Sequence, residues 1–251
     1  MATQDGDMTM SFWEHLDALR STIIRMLIAV TVLAIIAFCL KDELFYIVLW
    51  PTHNDFPTYV WLNAQPFHLQ LINTELTEQF MVHMRVAIIA GIMAASPYLL
   101  FELFGFVSPA LYERERKASV QIVVWSYIMF VIGVVADYLL VLPLTVRFLS
   151  EYSVSSDVES LISLTSYVDT MLMLSLVFGI VFEIPVVSWL LARFGLIRAQ
   201  WMTRFRRHAI VVILIAAALL TPTTDAMTLI IVSLPIWLLY ELSIYIVKKS
   251  S

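Results

Sequence analysis

Apolar residues fall into long runs near positions 22–40, 84–104, 119–142 and 167–193. At about 1.5 Å of rise per helical residue, each is long enough to cross roughly 30 Å of hydrocarbon. Two further runs, 209–221 and 227–246, are separated by Pro222-Thr223-Thr224-Asp225-Ala226. A polar turn after Pro222 predicts a reversal at the membrane surface, so the two read as a tight helical hairpin rather than one broken or re-entrant helix. The first of the pair is short for a crossing, which predicts local membrane thinning or a tilted, shallow wall. The expected fold is an all-α membrane protein of six transmembrane helices, one integral membrane domain over residues 1–251.

The positions of Lys and Arg set its direction. With the amino terminus inside, Arg20, Arg114, Arg116, Lys117, Arg193, Arg198, Arg204, Arg206, Arg207, Lys248 and Lys249 face the cytoplasm, eleven of the fifteen basic residues. Lys41 and Arg147 lie outside, and Arg25 and Arg85 in or beside spans. This bias predicts both termini in the cytoplasm. Composition agrees: 61% of residues are hydrophobic and only 14% charged, against roughly a quarter charged in soluble domains. The formal charge of −5 gives no support to a nucleic-acid partner. Cys39 stands alone in an apolar run and provides neither a disulfide nor a metal site. Acids at 5, 7, 14 and 17, with no Lys or Arg before Arg20, are unlike the basic start of a cleaved signal peptide, so the mature chain is expected to begin near Met1.

Between the first two spans, residues 41–79 carry Trp50, Phe56, Tyr59, Trp61 and Phe67 among three prolines. So much apolar surface predicts a cap folded back on the outer face. Pro97, Pro185 and Pro235 each remove a hydrogen bond inside a span, and Gly91, Gly133 and Gly179 permit close approach, which predicts helices kinked and curved into a concave bundle.

No nucleotide-binding loop, zinc-protease pair or nucleophile elbow is present, and the five histidines are scattered, so no catalytic residue, metal or cofactor is expected. Glu183 lies inside an apolar run two residues before Pro185, where a carboxyl must be protonated or hydrogen-bonded in a polar pocket. Asp137 and Asp169 are placed nearer the outer ends of their spans, with interfacial solvation. An alternative function, a proton-coupled secondary transporter, would require these three acids at midplane facing one cavity. The connection 101–116, with aromatics, Gly105 and Pro109 before alternating acids and bases, predicts a short ordered interfacial helix.

That connection, F-E-x-x-G-F-V-x-P-A-L-x-x-x-E-R from Phe101 to Arg116, resembles the first cytoplasmic loop of the TatC family, the signal-recognising core of the twin-arginine protein translocase. His15-Leu16-Asp17-Ala18-Leu19-Arg20 is similar to the family's amino-terminal H-L-x-E-L-R, and Phe178-Gly179-Ile180-Val181-Phe182-Glu183-Ile184-Pro185-Val186 to its F-G-x-x-F-E-x-P-V. Phe130 to Gly133 with Tyr138 and Pro143, Leu220-Thr221-Pro222, and Tyr240-Glu241 extend the likeness in order along nearly the whole chain. Two acids depart from the pattern: Ala18 takes the glutamate position, leaving Asp17 one residue earlier, and Asp225 follows two threonines where T-P-P-D is usual.

The resemblance implies a receptor in the bacterial cytoplasmic (inner) membrane that binds twin-arginine signal peptides and assembles with the single-span subunits TatA and TatB, in a multimeric complex driven by the proton motive force. Two guanidiniums ahead of an apolar stretch call for carboxylates beside an apolar track. Glu115 is the first choice of ligand, with Asp17 or Glu14 closing the patch and Phe106 and Arg116 in the matching loop. Glu113 and Glu102 rank lower, since either can pair with Arg116 or Lys117. Glu183 is implied as the intramembrane polar site contacting the partner subunits.

Overall fold

The computed structural model describes residues 12–63, 65, 69–107, 116–151, 161–220 and 226–250. Its helices are α1 (Phe12–Cys39), α2 (Lys41–Leu49), α3 (Pro57–Trp61), α4 (Glu78–Val107), α5 (Arg116–Ala136), α6 (Leu142–Glu151), α7 (Leu164–Val181), α8 (Ile184–Arg193), α9 (Ala199–Arg204), α10 (Arg206–Leu220) and α11 (Ala226–Ser250). Two short strands, β1 (Leu71–Ile72) and β2 (Ile162–Ser163), pair in parallel with Leu71 opposite Ile162.

Among the described residues, five stretches are long and apolar enough to cross a membrane: Leu16–Cys39, Glu78–Phe106, Gln121–Ser150, Leu164–Arg193 and Ala226–Lys249. They correspond to five of the six expected runs. The remaining run is α10, whose 15 residues reach about 22 Å, short of the hydrocarbon thickness. It is nonetheless part of the bundle, because Ile213 and Ala217 join Leu174, Phe178, Val232 and Ile236 in a buried core shared with α7 and α11. The hairpin turn expected at 222–226 falls almost wholly outside the described residues.

Small residues determine where helices touch. Buried Ala87 and Ala95 flank Gly91 at four-residue spacing on α4, and a Cβ on Gly91 would lie 2.7 Å from the Ala34 backbone of α1. In a bilayer such close contact supplies the packing that a hydrophobic effect cannot. The α5/α7 crossing repeats the device reciprocally. Gly133 of α5 lies beneath the Phe178 carbonyl and Phe182, while Gly179 of α7 lies against the Phe130 ring.

The third span continues beyond its expected end at 142. Pro143 cannot donate to the Leu139 carbonyl, and the helix widens to a π turn over Asp137–Val141, with the Leu142 N–H reaching back to Asp137 O. The Thr58 hydroxyl of α3 donates to the freed Leu139 carbonyl. Tyr59 Oη donates to Pro51 O (3.0 Å) and Pro143 O (3.2 Å), and burial pushes its phenol well above the usual range, keeping it a donor. Residues 41–63 thus fold onto the end of the bundle where α4 begins. Phe56 is fully buried between Trp50, Tyr59 and Tyr138.

Further bonds tie this cap to the spans. Tyr138 donates to Ile47 O and Tyr167 to Val48 O, both at 2.7 Å, and His83 Nε2 donates to Phe38 O at 3.1 Å while stacking on the Phe38 ring. Glu78, at the head of α4, accepts from the amides of Thr74, Glu75 and Thr165, joining both strand segments to one carboxylate.

Candidate functional site

At the opposite end of the bundle, where α1 begins and α4 ends, Arg25 reaches across to Glu102. Its Nε donates to Oε1 at 3.0 Å and its Nη2 to Oε2 at 2.8 Å, a bidentate pair. Tyr98 Oη donates to the same Oε1 at 2.7 Å, and the other guanidinium donors reach Ser21 and Thr22. Glu102 is therefore held by Arg25 and Tyr98, while the side chains of Arg116 and Lys117, its partners as read from sequence, lie outside what is described. Its carboxyl side chain retains only 12% exposure, which closes it to a second guanidinium.

Asp17, two turns before Arg25, is exposed and has no partner among the described residues. Below it Ile23, Ile24, Leu27 and Ile28 of α1 are also exposed, a continuous apolar track. Phe106 is half-buried near the end of α4. Glu115 and Glu113 lie outside the described residues; for Glu14 and Arg116 the backbone is placed in α1 and α5 but the side chains lie outside what is described.

Glu183 occupies the break between α7 and α8. Pro185 removes the amide that would continue the ladder, and the chain bends without reversing: Glu183 N–H bonds Ile180 O, and Val187 N–H bonds Glu183 O. This bend aims the Glu183 carboxyl at a cavity of about 500 Å³ lined by Ser96, Leu100 and Phe104 of α4, Phe130 of α5, and Ile180 and Ser188. Both carboxyl oxygens are buried without a hydrogen-bond partner, as is the hydroxyl of Ser96. The Ser126 hydroxyl approaches Glu183, but the two do not complete a hydrogen bond. A buried acid with unused hydrogen-bonding capacity, facing a mostly apolar cavity, is the arrangement most prepared to receive a polar group from outside the chain.

Of the two remaining acids, Asp137 departs from expectation and Asp169 lies near the end of its span as expected. Asp137 is not solvated at an interface. It is completely buried near the middle of the Gln121–Ser150 span and accepts from Ser175 Oγ at 2.6 Å. Its helix continues past Pro143, so a position read as an end is interior. Asp169, on the second turn of α7, forms an ion pair with Arg85 of α4 at 2.6 Å, and both side chains are about half exposed. Neither Asp137 nor Asp169 lines the Glu183 cavity, so the shared proton site that a transporter would need is not assembled.

The family model described as "Sec-independent protein translocase protein (TatC)" matches residues 14–235. The chain belongs to the TatC family. It is 34% identical to the Sec-independent protein translocase protein TatC of Carboxydothermus hydrogenoformans, over 96% of this chain and 94% of that protein. It is 32% identical to TatCy of Bacillus subtilis, over 96% of this chain and 90% of that protein. The solved structure titled "Crystal Structure of Twin Arginine Translocase Receptor- TatC" superimposes with a TM-score of 0.80 at 30% identity, covering 94% of this chain and 99% of that one.

A TatC chain is a protein-translocase component, not an enzyme, and membership in that family with five long apolar helices makes this a multi-pass membrane protein that works with other Tat components. Among its polar residues, sequence reading missed the Arg25–Glu102–Tyr98 network. The signal was available: an arginine inside the first apolar run needs a counterion at matching depth, and an antiparallel second span ending in Glu102 supplies it.

Proposed function

We propose that this protein is the receptor core of a twin-arginine translocase. It sits in the bacterial cytoplasmic membrane with both termini in the cytoplasm, recognises twin-arginine signal peptides there, and gathers TatA and TatB so that folded proteins are exported by the proton motive force. The observation that carries this reading is the combination at the head of α1: Asp17 is exposed and has no partner among the described residues, beside an uncovered apolar track, while Glu102, the other described carboxylate nearby, is already occupied. A signal with two guanidiniums followed by a moderately apolar stretch matches both parts. Glu115 is the principal ligand in this reading, with Asp17 and Glu14 on the amino-terminal side and Phe106 and Arg116 shaping the connection. Glu183 and its cavity receive a polar side chain from a TatA or TatB helix.

The test is binding of the solubilised protein to a twin-arginine signal peptide and to its twin-lysine counterpart. Loss of a planar bidentate contact to carboxylate removes about 1.5–3 kcal/mol, so the lysine peptide should bind about 10- to 100-fold more weakly. Glu115→Ala and Asp17→Ala should each reduce that preference. Equal affinity for both peptides would refute the receptor assignment.

A further inference from the structure

Beyond the two sites already described, a third recess lies where α8 and α11 emerge from the bundle. Left-handed Gly195 (φ +71°) ends α8, with Leu196 N–H reaching back to Leu191 O, and the chain turns into α9. Two contacts hold α9 and the head of α10 against α11: Tyr240 Oη donates to Met202 O at 2.9 Å, and Arg206 pairs with Glu241 at 2.7 Å. Between them opens a cavity of about 850 Å³ whose lining includes Arg198, Arg204 and Lys248 and, among the described residues, no acid.

The three cations come from two separate elements, are exposed, and have no ion-pair partner among the described residues. Beside them Leu196, Trp201 and Phe205 are each more than half exposed. The Leu164–Arg193 and Ala226–Lys249 spans both end here, so the recess lies at the level of the membrane surface. Aromatic side chains favour this depth, and basic pockets between helix ends accept acidic lipid headgroups.

We propose that this recess is a binding site for an anionic glycerophospholipid, whose phosphodiester is held by Arg198, Arg204 and Lys248 while its acyl chains run down past Leu196 and Trp201. An acidic peptide or a free anion would find the same charges, but neither makes use of the apolar surface that adjoins them at the bilayer boundary.

The experiment reconstitutes the full chain in nanodiscs of phosphatidylcholine containing phosphatidylglycerol. Lipid retained after mild detergent extraction is counted by native mass spectrometry. Retained phosphatidylglycerol should fall by about tenfold or more in the Arg198→Gln/Arg204→Gln/Lys248→Gln variant, since each cation near an anionic headgroup contributes measurably. Arg207→Gln, exposed at the same end but outside the recess, should retain lipid like the parent. If the triple variant fails to insert, the single Arg204→Gln variant is read in its place and should lose lipid by severalfold.

Unchanged retention in the variants would overturn the proposal, as would equal loss from Arg207→Gln. Displacement of the lipid by millimolar inorganic phosphate or by a soluble acidic peptide would overturn the lipid assignment. The readout is independent of signal binding, so it stands or falls separately from the receptor function.

Discussion

Gly133→Ala is the most incisive perturbation of the bundle. An added Cβ would lie 2.5 Å from the Phe178 carbonyl oxygen, about 0.9 Å inside ordinary contact at 3.4 Å, and 2.8 Å from Cβ and Cγ of Phe182. The nearest obstacle is backbone, so no rotamer change relieves it and α5 must move off α7. Overpacking of this kind costs about 1–3 kcal/mol. The same displacement would stretch the Asp137–Ser175 bond from 2.6 Å to the limit of hydrogen bonding, losing about 1 kcal/mol more. At roughly 2–4 °C per kcal/mol for a chain of this size, melting should fall by about 5–15 °C.

Thermal unfolding followed by tryptophan fluorescence in detergent measures this, with two glycines as internal standards. Gly179→Ala meets first the edge of the Phe130 ring, a side chain that can shift, and should cost less. Gly105→Ala meets nothing within 4 Å and should be neutral or stabilising by up to about 1 kcal/mol through helix propensity. If Gly133→Ala melts with the parent, or Gly179→Ala falls as far as Gly133→Ala, backbone contact does not set the crossing.

Two further outcomes follow from unsatisfied and rescued polar groups. Glu183→Leu removes a buried carboxyl with no partner, so its melting temperature should rise while crosslinking to TatA or TatB through the cavity falls; lower stability together with unchanged crosslinking would make Glu183 a purely structural residue. Thr58→Val keeps the side-chain shape but leaves the Leu139 carbonyl without its hydroxyl donor, and should destabilise by about 1–2 kcal/mol in the same melting assay, with no loss marking the bond as dispensable.

Much of the architecture was readable because a bilayer admits few solutions. Every backbone group must be bonded within its own helix, so length and apolarity nearly determine a span. Glu183 was readable as a buried intramembrane acid for the same reason, but the polar pocket expected around it is a mostly apolar cavity that offers its carboxyl oxygens no hydrogen bond. The bound at 142 was misleading. Placing Asp137 near an outer end followed from it; the helix continues past Pro143, where Thr58 and Tyr59, some eighty residues away in sequence, donate to the carbonyls of Leu139 and Pro143. The partner of Glu102 was hidden by register. Arg116 is nearer in sequence, but Arg25 is level with Glu102 once Gly91 seats α4 against Ala34. The acids in the 108–115 connection remain assigned by resemblance alone.

The seat between Ala34 and Gly91 also governs how the protein is made. Ribosomes add about 5–20 residues per second, so α1 enters the bilayer several seconds before the helix that will hold it has been synthesised. During that interval it must survive as a solitary insertion, exposed to lipid on every side and to membrane proteases. Its span is the most apolar of the five and the least buried in the finished fold, which suits a segment whose first task is to wait.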